Sequence, residues 1–145
     1  MAELGIGVGI EQSEMDLPFR MRTMSGYDLA YWASTFVAPG FPTDYDTDGQ
    51  ETDAASLISW AANRIGVTFP DTFAAAVVAL DGNEVEIDQA LKTRGAVLVS
   101  GTKIALCLGL DDIIDIIDGR FFVVQMTDTK KAKWTTGALI SEVIY

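Results

Sequence analysis

Residues 95–125 read G-A-V-L-V-S-G-T-K-I-A-L-C-L-G-L-D-D-I-I-D-I-I-D-G-R-F-F-V-V-Q. β-Branched and aromatic residues fall into four short groups, at 96–100, 103–109, 112–117 and 120–126, each bounded by Gly or Asp. Asp118-Gly119, between the last two groups, is the dipeptide of a two-residue hairpin. The stretch therefore predicts a meandering antiparallel sheet. Downstream, A-L-I-S-E-V-I-Y at 138–145 predicts a closing strand. Between them K-K-A-K-W, 130–134, is a small basic island. It reads either as a solvated hairpin loop or as a docking patch for an acidic neighbour.

Upstream of Gly95 the pattern is helical. Ser25 is a good N-cap, with Asp28 in the first turn. Tyr27, Ala30, Tyr31 and Ala33 to Val37 recur at helical spacing, and Pro39-Gly40 ends that helix. A second helix, of about 13 residues, an ordinary globular length, starts near Asp53. It presents Leu57, Ile58, Ala61 and Ile65 on one face and stops at Gly66. Pro70-Asp71 opens an Ala-rich third helix through Leu80, closed by the turn D-G-N. I-D-Q-A-L-K, 87–92, is a short helical turn. Residues 1–25 form a Gly-punctuated arm in which Leu4, Ile6, Val8 and Ile10 alternate as in an edge strand. Helices first and an antiparallel sheet afterwards define an α+β class. The expected organisation is an arm, 1–25, and one domain, 26–145.

Composition narrows the chemistry. The 145 residues suit a single domain with a real hydrophobic core. There is no histidine and one cysteine, Cys107. No Ser-His or Cys-His nucleophile pair can be assembled, because the base is missing. A zinc site built on several Cys and His ligands is likewise absent, and no intrachain disulfide can form. A net charge of −11 repels phosphates and disfavours nucleic acid as a partner. No apolar run reaches the ~18 residues of a membrane span. The opening M-A-E-L-G-I-G-V-G-I lacks the basic start of a secretory signal. Hydrophobic residues make up 49% of the chain, and the mean hydropathy is +0.23. That composition fits a subunit packed in a larger assembly.

Order and spacing carry a family resemblance. A helix and a loop precede D-A-A-S-L-I-S-W-A, 53–61; then come the Gly-hydrophobic strand T-R-G-A-V-L-V and K-I-A-L-C-L-G. Over roughly residues 27–117 this resembles the NlpC family of papain-like cell-wall peptidases. That family's second helix opens with Asp-Cys-Ser-Gly-Leu, and the Cys is the nucleophile. A later Gly-Asp-Leu and His-Val-Gly-Ile-Tyr-Leu-Gly bring the base, and a third polar residue about a dozen positions on orients it. Asp53 and Ser56 match the family's Asp and Ser, but Ala54 stands at the nucleophile. Ala96 occupies the Asp slot of the Gly-Asp-Leu strand. Ile104, Ala105, Leu106, Leu108 and Gly109 match the tail of the histidine strand, but Lys103 stands at the base. Asp115 falls at the orienting position.

The departures remove the chemistry. The reaction needs a thiolate at a helix N-terminus, and alanine has no heteroatom. It also needs an imidazole titrating near neutrality, whereas lysine side chains ordinarily titrate near ~10.4. A deliberate Cys-to-Ala knockout would account for Ala54 alone and leaves Lys103 unexplained. Ser56 is expected to bond backbone at the helix start, and Cys107 to be a buried small hydrophobe. Lys103 and Asp115 are expected to pair in place of the lost base and its partner.

The resemblance therefore implies an inactive fold, of the kind found as small stand-alone proteins of bacteriophage tails, rather than an enzyme. It implies a structural component of a virion tail tip or baseplate, made in the host cytoplasm. Its partners would be other tail proteins and copies of itself, with peptidoglycan as a further contact. An active peptidoglycan hydrolase and a soluble pseudoenzyme holding a peptide or lipid in the old groove are the alternatives. No cofactor is expected, with one candidate exception. D-Y-D-T-D-G puts Asp44, Asp46, Asp48 and Gly49 at positions 1, 3, 5 and 6 of a calcium loop. The closing Glu is missing, since that position is Ala55; Glu51 or Asp53 would have to serve. The competing reading is a solvated acidic loop whose Asp53 starts the helix. Tyr27, Tyr31, Trp32 and Trp60 are expected mostly in the core.

Overall fold

Helix, cap and turn chemistry set the N-terminal half. The computed structural model describes residues 24–36, 54–117 and 120–145. Helix α1, Gly26–Phe36, starts where expected: the Ser25 hydroxyl accepts from the Asp28 N–H at 3.0 Å. Helix α2, Ala54–Arg64, buries Ala54, Ala55, Leu57, Ile58, Ala61 and Ala62. It closes in a Schellman motif. The Val67 N–H reaches the Ala62 carbonyl at 2.9 Å and the Gly66 N–H reaches that of Asn63 at 3.2 Å, with Gly66 at φ +84°. Helix α3, Phe73–Leu80, is capped by the Thr72 hydroxyl, which accepts from the Ala75 N–H. The short α4, Ile87–Leu91, follows a two-residue strand β1, Glu84–Val85.

The remaining strands are β2 (Val97–Val99), β3 (Ile104–Gly109), β4 (Asp112–Ile117), β5 (Arg120–Gln125) and β6 (Thr136–Ala138), with helix α5 (Asp128–Lys131) before β6. They form one six-stranded sheet in the order β1-β6-β2-β3-β4-β5, and every described pairing is antiparallel. Ile117 lies opposite Arg120, so β4 and β5 are consecutive partners as their sequence predicts. The dipeptide 118–119 itself lies outside the described residues.

Alternation divides the core between the sheet's two faces. Val97, Leu106 and Ile114 stand side by side across three strands. They pack in the larger cluster with Leu29 and Ala33 of α1, Leu57, Ile58 and Ala61 of α2, and Leu80 of α3. The opposite face carries Leu98, Ala105, Cys107 and Ile113, covered by Ala90 and Leu91 of α4 and by Met126 and Trp134.

Several expectations are corrected. The closing strand is not 138–145 but Thr136–Ala138. Beyond it the chain turns, the Val143 N–H donating to the Ile140 carbonyl, and only Ile144 bridges back, in parallel to Ser25. The Tyr145 hydroxyl accepts from the Ile140 N–H at 3.0 Å, so a side chain takes the place of a ladder partner. The basic island is no hairpin loop either. Thr127 caps α5, Lys131 pairs with Asp88 at 2.8 Å, and Trp134 is buried. The aromatics of α1 and α2 divide: Tyr27 and Tyr31 are 61% and 57% exposed, outside the core, whereas Trp32 and Trp60 are half-buried and pack against the larger cluster. The strand predicted from Leu4 to Ile10 and the loop Asp44 to Asp53 lie outside the described residues. No helix among the described residues is long and apolar enough to cross a membrane.

Candidate functional site

Lys103 is set by a tight turn between β2 and β3. The Ser100 hydroxyl oxygen accepts from the N–H groups of Thr102 and Lys103, at 3.2 and 3.1 Å. The Ser100 N–H donates to the Lys103 carbonyl at 2.9 Å. With its backbone so clamped, Lys103 sends its ammonium diagonally across the hairpin to β4. Its Nζ donates to Asp115 Oδ2 at 3.0 Å and to the Ile116 carbonyl at 3.3 Å. The second oxygen of Asp115 accepts from the Ile116 N–H at 2.8 Å. The Trp134 ring lies 5.7 Å from the ammonium, within cation–π range.

Asp115 is the buried charged side chain among the described residues, and the pair is half-sheltered: the two side chains are 35% and 12% exposed. The ion pair expected from sequence is thus present. Its ammonium is held by a carboxylate, a carbonyl and a ring, an arrangement that ties the start of β3 to β4.

Ala54 is the first residue of α2 and is fully buried. It packs in the larger cluster with Ile104, Leu106 and Ile114. Asp115 lies on the other face, in step with Ile113. The structure therefore brings Lys103 and Asp115 together and sets Ala54 in the cluster behind the same strands. Ser56 is half-buried in the first turn of α2. Cys107 is fully buried opposite Ile113, and burial pushes its thiol well above the usual range. That is the reverse of an activated cysteine. Among the described residues no group of His, Cys, Asp and Glu could hold a metal ion; Asp44, Asp46 and Asp48 lie outside them.

Two supports of the site were not anticipated. Ser100 clamps the turn, and S-G-T-K does carry the signal of a hydroxyl-capped turn. Trp134 arrives from beyond β5, with no local signal to place it.

No protein-family model matches the sequence, and no curated protein matches it. Solved structures do. The chain superposes on the peptidoglycan hydrolase RipB from Mycobacterium tuberculosis with a TM-score of 0.61 and 18% identity, over 94% of this chain and 76% of that one. The chain has RipB's fold. It is the α+β, papain-like NlpC fold, with helices packed on an antiparallel sheet. The P60 domain of an antigen from M. avium paratuberculosis matches at 19% identity and a TM-score of 0.48, over 61% of this chain. This chain spans 63% of the length of that one.

Proposed function

We propose that this chain is a non-hydrolytic module on a peptidase fold, serving as a structural component of a bacteriophage tail tip or baseplate and contacting the cell wall. The observation that carries the reading is what stands where cysteine-peptidase chemistry would be. Ala54 opens α2, where unpaired N–H groups would stabilise a thiolate. By motif order Lys103 takes the place of the imidazole, and it is closed on Asp115 on the opposite face of the sheet from Ala54. The chain has no histidine, and its one thiol is sealed in the sheet. The virion placement is supported by the motif order shared with phage-tail members of the family and by the apolar composition.

Two experiments test the reading. A zymogram of the native chain on purified peptidoglycan tests the loss of hydrolysis: no clearing is expected, and clearing in proportion to added protein would overturn the reading. Antibody detection of the chain in purified virions tests the placement; its presence only in the soluble lysate would refute it.

A further inference from the structure

Among the described residues the sheet ends in β1 on one side and in β5 on the other. Natural sheets protect such edges with short strands, charges, prolines or bulges. β1 follows that rule, being two residues long and beginning with Glu84. β5 does not. It runs six residues, R-F-F-V-V-Q, in unbroken register with β4 from Arg120 to Gln125. Phe122 and Val123, on its two faces, are 46% and 52% exposed.

The backbone says what this edge would accept. The Met126 N–H donates to the Asp111 carbonyl, on the β4 side, at 2.8 Å. Inward and outward groups alternate along an antiparallel strand. Val124, Phe122 and Arg120 therefore also bond towards β4, while Phe121, Val123 and Gln125 turn their N–H and C=O groups to the open side. Three donors and three acceptors spaced in this way fit another β-strand.

The strand is complementary to itself. Run antiparallel about a two-fold axis at Val123, it sets Val123 opposite Val123 and Phe121 opposite Gln125 of the other copy. Each of these pairs joins two outward-facing residues, so every open donor and acceptor of 121, 123 and 125 is met. On the other face Phe122 lies against Val124 of the other copy. Arg120, the strand's one charge, faces Met126 of the other copy, whose chain goes on to the exposed Asp128, and no like charges are opposed. Centred instead on Phe122, the pairing would put Gln125 opposite residue 119, outside the strand. The net charge of −11 repels a second copy at long range, but salt screens it beyond ~8 Å, and β5 itself holds no acidic residue.

We propose that β5 docks a second copy of this chain, the two joined antiparallel about Val123 into one continuous sheet. The proposal goes beyond the proposed function and stands whether or not the chain cleaves peptidoglycan. Sedimentation velocity of the native full chain at rising concentration tests it. The 15.7 kDa species is expected to move towards twice its mass, and to do so at lower concentration as salt is raised. Val123→Lys opposes two like charges on the axis and is expected to weaken association at least ~tenfold. Val123→Pro removes an N–H that faces the open side and leaves the bonds to β4 in place, so it gives the same result by a second route. A third variant reads the register. Val123→Cys is expected to form an intermolecular disulfide under mild oxidation, because its two copies face each other ~5.5 Å apart at Cα. Gln125→Cys is expected not to, and Cys107 is buried in both. A chain that stays monomeric at every concentration, a dimer unchanged by both the Lys and the Pro substitution, or cross-linking at 125 as fast as at 123 would overturn the proposal.

Discussion

Lys103 and Asp115 hold the open ends of β3 and β4 together through one ammonium, one carboxylate and the backbone of Ile116. Removing either partner leaves the other half-sheltered without its counter-charge, at a cost of ~1–3 kcal/mol. Asp115→Ala and Lys103→Met are each expected to destabilise the chain. A double-mutant cycle by urea unfolding should give a coupling of at least ~0.5 kcal/mol; additive effects would show that the pair does not act as one. The twelve-residue separation of this pair across a hairpin was legible in the sequence. Tyr145 was not legible. Its hydroxyl donates to the Gly95 carbonyl at 2.9 Å, fifty positions away, and accepts from the Ile140 N–H. No local pattern announces such a contact. Burial pushes the Tyr145 phenol up to about 12. Its raised value means that the folded state favours the neutral phenol, so its contribution is full below pH ~10. That contribution is lost as the pH rises towards 12. Tyr145→Phe is expected to cost ~1–2 kcal/mol near neutrality. Thermal melts between pH 9 and 12 should show less alkaline loss in the variant than in the native chain.

Element by element, the sequence was most readable where a local rule acts alone. Ser25 and Gly66 cap or stop their helices as their residue types dictate, β4 spans Asp112–Ile117 as read, and α3 opens at Thr72, just past the expected Pro70-Asp71. It failed where contact overrides propensity, as in the C-terminal segment after Ala138. The β3–β4 turn is another case. Leu110 and Asp111 both adopt positive φ, +54° and +66°, in a connection that usually calls for Asn-Gly. The junction of Gly26 and Gly95 is decided by packing as well. A Cβ on Gly95 would lie 2.6 Å from the Gly26 Cα, and Gly95 itself sits at φ +86°. Gly95→Ala is therefore expected to destabilise by ~1–3 kcal/mol, through both strain and clash. Urea unfolding measures this, and an unchanged midpoint would mean that α1 and the start of β2 are not locked together here.

Across the whole molecule, a sheet with two apolar faces explains why residues expected to act together are set in different cores. One face is closed by α1, α2 and α3 with Ala54 among them; the other is closed by α4 and Trp134 over Cys107. The fold class was legible because helical and strand periodicities occupy separate halves of the chain. The surface aromatics were not, because helical spacing alone does not say which face meets solvent. In the proposed reading this molecule differs from a hydrolase of the same fold in its side chains at 54 and 103. The most direct test incubates the native chain with purified peptidoglycan from Gram-positive and Gram-negative walls and resolves the soluble products by mass spectrometry. The expected profile is identical to the protein-free control. New peptide fragments released in proportion to added protein would contradict it.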